Sequence, residues 1–158
     1  MTKTIFQHAL WRVALGLLGV AAVALTDAAE AQKLVSASSY NVAIKGYDPV
    51  AYLAEGRAVE GRSEFEFAWR DAKWRFLNGA NRDAISGDPE RYAPQYGGFC
   101  ALSVAHNESS DGDPESWTIT DGKVYLNANK TVQRRWLKDM RWYIGAADAN
   151  WARRLGKN

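Results

Sequence analysis

Asp121-Gly122 sits between two short runs, "WTIT" and "KVYLN", in which Trp117 and Ile119 on one side and Val124 and Leu126 on the other recur at every second position. Asp-Gly is one of the few pairs that readily take the left-handed backbone of a two-residue turn, so this stretch predicts an antiparallel hairpin. A second pair of runs, "EFEFAWR" and "KWRFLN", alternates in the same way around Asp71-Ala72. Phe65, Phe67 and Trp69 share one face there, and Trp74 and Phe76 form its partner. Hairpins of this kind are marginal alone and need their apolar faces covered.

The cover is helical. In "YDPVAYLAEG" Asp48 caps a short helix, Pro49 takes its first position and Gly56 stops it. "NGANRDAISGDPERYAPQYGG" predicts two more short helices, divided at Gly87 and Pro89. At the end of the chain Val132, Trp136, Met140, Tyr143, Ile144, Ala147, Trp151 and Leu155 recur at three- and four-residue steps, which predicts one terminal helix. The expected fold is α+β: a small antiparallel sheet built from the two hairpins, with short helices and a C-terminal helix packed on it.

The N-terminus reads as an export signal. Lys3 and Arg12 supply positive charge, "VALGLLGVAAVAL" is an apolar run too short to span a bilayer comfortably, and Ala29-Glu30-Ala31 is a small-x-small cleavage site. Residues 1–31 are therefore expected to be a signal peptide, and cleavage near Ala31 predicts a periplasmic or secreted product with no stable membrane span. Arg12 has no neighbouring arginine, which favours the general secretory route. Residues 32–40, small and polar, are expected to stay flexible. Residues 41–158 are expected to form one domain, long enough to bury its own core.

Export makes the single cysteine informative. Cys100 has no internal partner, so its thiol is sheltered, joined to another molecule, or reactive. The formal net charge of +2 is too small to imply a nucleic-acid partner. Its distribution is uneven: Tyr40 to Gly122 holds 8 Lys/Arg against 14 Asp/Glu, and Lys123 to Asn158 holds 9 against 2. The basic tail suits an anionic surface or partner, or simply the solvated face of a helix.

"AIKGYDPVAYLAEG", "NRDAISGDPERYAPQYGGFCA" and "DPESWTITDGKVYLNANKTVQRRWLKD", in that order, resemble the exported branch of the YHS-domain family over roughly Val42 to Trp151. Other members of that family, including segments attached to copper-transporting ATPases and phenol hydroxylases, carry paired cysteines and are suspected of binding metal. This chain departs from them. Asp48-Pro49-Val50-Ala51 stands where the cysteine-bearing relatives have Asp-Pro-Val-Cys, and Cys100, after Tyr96-Gly97-Gly98-Phe99, is all that remains of the cysteine set.

The cysteine inventory excludes a multi-cysteine zinc or copper site. A metal ion held in a mixed site would have Cys100 as its one sulfur ligand, and no cofactor can be named. Thiol catalysis would need a base. His106, six residues on, lies roughly 20 Å from Cys100 in a strand, or about 120° and 9 Å away in a helix, so neither regular conformation joins them. The start of a helix at Gly97-Gly98 is the better candidate activator of Cys100.

A polar pocket with one sulfur would form if Tyr47, Asp48, Tyr52, Tyr96, Gly97, Gly98, Cys100, Asn127 and Asn129 converged. Three functions follow in order of preference. The first is a non-enzymatic exported domain binding a small molecule or metal ion near the Tyr-Gly-Gly-Phe-Cys loop. The second is a thiol-dependent enzyme or redox protein using Cys100. The third is an interaction module whose basic C-terminal helix docks on another exported protein or an anionic membrane surface.

Overall fold

The computed structural model describes residues 33–156, so the expected export signal and cleavage site lie outside the described residues. The first helix, α1 (Pro49–Glu55), has the three signals read from its sequence. The Asp48 side chain accepts from Val50 N and Ala51 N, Pro49 opens the helix, and Gly56 ends it in the left-handed region at φ 65°.

Strands β1 (Arg62–Trp69) and β2 (Ala72–Phe76) form the first hairpin, with Phe67 opposite Trp74 and Trp69 opposite Ala72. The turn falls at Arg70-Asp71, one residue earlier than the sequence suggests, and both residues have left-handed φ values (51° and 58°) without a glycine to ease them. Helices α2 (Gly79–Gly87) and α3 (Pro89–Tyr92) follow, capped by the side chains of Asn78 and Asp88. A 3-10 turn at Gln95–Gly98 then leads into the short helix α4 (Ala101–Ala105).

The second hairpin, β3 (Asp113–Thr120) and β4 (Lys123–Asn127), turns at Asp121-Gly122 as expected and places Trp117 opposite Leu126. Each hairpin forms its own two-stranded sheet. Single bridges, such as Val42 to Lys73 and Cys100 to Leu126, attach the neighbouring chain to them.

Strand β4 organises the interior. Successive side chains of a strand point to opposite faces, and both faces of β4 are buried. Val124 and Leu126 join a core with Trp74, Phe76, Tyr52 and Ile85. Tyr125, between them, joins a second core with Tyr96, Phe99, Trp136 and Trp151.

Two expectations need correction. The terminal helix is two helices, α5 (Lys130–Leu137) and α6 (Met140–Arg154), separated where Asp139 leaves helical geometry at φ −146°, ψ 54°. A break this short leaves the three- and four-residue apolar steps almost intact, so periodicity alone does not reveal it. Trp136 of α5 stacks toward Tyr125, and α6 packs chiefly against α4.

The supposedly flexible segment 32–40 is docked over its described middle. Val35, Ser36 and Ala37 are buried, Ser36 N donates to Gly97 O (2.9 Å), Ile44 N donates to Ser36 O (2.8 Å), and Ser36 Oγ donates to Asp111 (2.7 Å). Its small polar residues fit a crowded site, which composition alone reads as looseness. Lys33 and the tip around Tyr40, which is 81% exposed, face solvent. Among the described residues no helix is long and apolar enough to cross a membrane.

Candidate functional site

The nine residues expected to converge meet only in part and do not line one pocket. Asp48 is fully buried and fully used: Oδ1 accepts from Val50 N (2.8 Å) and Ala51 N (3.3 Å), and Oδ2 from Leu77 N (2.8 Å) and Asn81 Nδ2 (2.7 Å). It ties α1 to the end of β2 and to α2, with no acceptor capacity left for a ligand. Tyr52, also fully buried, donates to Pro114 O (3.0 Å) and packs its ring 5.5 Å from that of Trp117. Tyr47 is half-buried near the same end of β3. Its phenol is held above the ordinary range by burial, reinforced by the charges of Glu115 and Glu60. Asn129 is an exposed cap, accepting from Val132 N at the start of α5 (2.9 Å).

Cys100 and Asn127 do meet. Both are fully buried, with Sγ and Oδ1 3.9 Å apart, and Asn127 Nδ2 is buried without a partner. The thiol has no route to a substrate here. Cys100 caps α4, and its own N–H is taken by Ser110 O (2.8 Å).

Gly97 and Gly98 serve close packing: a Cβ on Gly97 would lie 1.9 Å from Leu34 O, and one on Gly98 would lie 2.3 Å from Ile44 Cγ2. The activating helix start expected there is covered by the 34–36 segment and Ile44. His106 stands at the opposite end of α4, exposed, with its ring 6.3 Å from Trp142 and 6.1 Å from Tyr143. Cys100 and His106 therefore belong to different environments. Among the described residues no group of three or more His, Cys, Asp or Glu side chains is arranged to hold a metal ion.

A cleft of about 390 Å³ opens on the Tyr96 side of this loop. Trp69 and Arg70 come to it from the first hairpin, Glu90 from α3, Lys123 from β4, and Asp148 and Trp151 from α6, while Gln95, Tyr96 and Gly97 form its floor loop. Arg70 lies 4.3 Å over the Trp69 ring and pairs with Glu90 at 2.9 Å. Tyr96 has left-handed backbone (φ 57°, ψ 30°), an arrangement that costs an aromatic residue energy and persists only where its surroundings enforce it. Those surroundings are the Asp148 carboxylate, which accepts from Tyr96 Oη at 2.8 Å, and the rings of Tyr125 and Trp151, each 5.9 Å away.

Of the expected site residues, Tyr96 and Gly97 line this cleft. Trp69 and Trp151 look like core in the sequence because they fall on periodic apolar faces. Arg70, Lys123 and Asp148 carry no local signal at all.

The buried phenols predict alkaline sensitivity. Burial raises Tyr52, Tyr96 and Tyr125 above the ordinary value of 10. The Asp148 hydrogen bond and charge add to the effect at Tyr96, and Asp148's charge adds to it at Tyr125, which is pushed up to about 12. Above pH 10 the unfolded chain gives up these protons while the native one keeps them, so stability is fully present below that pH and falls as pH rises. With three phenols at about 1.4 kcal/mol each, the slope should approach about 4 kcal/mol per pH unit. Urea denaturation at stepped pH checks this, and a midpoint that stays flat to pH 12 would contradict it.

Comparison with protein-family models, with curated proteins and with solved structures returned no match.

Proposed function

We propose that this chain is an exported, non-enzymatic YHS-like domain that binds a small polar molecule in the cleft beside Tyr96. One observation carries the reading: a strained aromatic residue, held by Asp148, faces a cleft whose walls come from both hairpins, α3 and α6. Strain of this kind gathers at ligand sites, where a fixed side-chain position matters more than its local cost. The wall chemistry sets the ligand class. Cations at Arg70 and Lys123, carboxylates at Glu90 and Asp148, the Gln95 amide and indole surface at Trp69 and Trp151 suit a small polar or zwitterionic molecule, oriented by a few polar groups.

The thiol-enzyme reading has less behind it, because a nucleophile must reach its substrate and Cys100 is fully buried beside an amide. A metal ion on Cys100 is likewise poorly supported, since among the described residues the side-chain partner of its sulfur is the Asn127 amide oxygen and no metal-holding cluster forms.

Amide chemical shifts, followed while amino acids, simple sugars, nucleosides and divalent cations are added singly, test the proposal. A binder should move amides in 93–97, at 123 and in 148–152. Arg70→Ala or Lys123→Ala should then weaken it about tenfold, the loss of one charge-assisted hydrogen bond. Shifts centred on Cys100 and Asn127 would move the site back to the thiol. No response from any class at millimolar concentration would sink the small-ligand reading.

A further inference from the structure

Where α5 gives way to α6, two large apolar side chains stand in solvent: Leu137 is 48% exposed and Trp142 54%. Trp142 is braced in place, its ring edge-on to Tyr143 at 5.0 Å and 6.3 Å from His106. Arg134, Arg135, Lys138 and Arg141 lie in the same nine residues, all exposed, and Asp139 is the one acid among them. None of these four cations takes part in an ion pair among the described residues. All four fall within nine consecutive residues at the corner where α5 gives way to α6.

We infer that this corner docks on an anionic lipid bilayer, with Trp142 and Leu137 entering the headgroup boundary and the four cations meeting lipid phosphates. Charge complementarity sets the sign of the partner. The size of the apolar part sets its kind. An aromatic side chain buries at most about 150–250 Å², so Trp142 and Leu137 fall well short of the roughly 800 Å² per partner that a stable protein interface buries. Interfacial insertion needs only an apolar tip flanked by Lys and Arg, whose stems lie along apolar surface while their heads stay with the phosphates. The surface is separate from the cleft, which none of these residues lines.

Co-sedimentation with vesicles tests the inference, using protein in the form its host accumulates and two lipid compositions: phosphatidylcholine alone, and phosphatidylcholine with phosphatidylglycerol. Binding is expected only to the anionic vesicles and should weaken with added salt. Lys138→Glu with Arg141→Glu should reduce it by about 25-fold or more, at about fivefold per cation. Trp142→Ala should reduce it without moving the denaturation midpoint. Equal binding to neutral vesicles, or anionic binding that both variants leave intact, would overturn the inference. So would equally tight binding to soluble polyglutamate that is indifferent to Trp142→Ala, which would point to an acidic protein instead.

Discussion

Asp48→Ala is expected to cost about 3–7 kcal/mol and bring the domain close to unfolding. The carboxylate is fully buried and accepts four hydrogen bonds from three segments: Val50 and Ala51 in α1, Leu77 after β2, and Asn81 in α2. Losing an N-cap costs about 1 kcal/mol. Leaving the Leu77 N–H and the Asn81 amide without their acceptor adds about 1–3 kcal/mol each. Against a total stability of about 5–15 kcal/mol for a domain, that is a large share. Asp48→Asn keeps one acceptor oxygen and the side-chain volume, so it should fall between Ala and the parent. Urea midpoints for the three proteins measure this directly. A loss below about 1 kcal/mol for Ala would mean that water replaces the carboxylate, and the position would then be open enough to hold a ligand after all.

Trp136→Ala is expected to cost about 3–5 kcal/mol, the usual range for emptying a buried indole site. Trp136 is fully buried in the second core, with its ring 5.4 Å from that of Tyr125. Its Nε1 is buried without a partner, so the indole brings an uncompensated polar group along with its bulk. Trp136→Phe keeps most of the apolar volume and removes that N–H, and should therefore cost less than about 2 kcal/mol. Chemical denaturation monitored by far-UV circular dichroism separates the two. If Ala and Phe proved equally mild, α5 would be unfolding independently of β4, and the two cores would not form one cooperative unit.

Local signals carried much of the architecture. Asp48, Pro49 and Gly56 mark α1 because each acts on the backbone within its own few residues. Asp121-Gly122 marks the second hairpin for the same reason. The first hairpin was legible in its faces but not in its turn, since Arg70 precedes Asp71 into a left-handed pair that an arginine side chain does not favour. Asp139 breaks the final helix without disturbing the apolar spacing around it.

The candidate site behaved differently. Tyr47, Tyr52 and Tyr96, alike in sequence, end in two settings because neighbours remote in the chain decide them: the Pro114–Glu115 end of β3 for the first two, and Asp148, 52 positions away, for the third.

The sequence by itself determined most of the elements and the α+β class, since capping, turn geometry and the alternation of apolar residues are short-range effects written in adjacent side chains. It also determined that this chain has a single thiol. Only the tertiary structure decided that the thiol is buried beside Asn127 and that β4 divides the interior into two cores. The cleft at Tyr96 was decided at the same level, because Trp69, Lys123 and Asp148 meet through packing between distant segments, which no local pattern encodes.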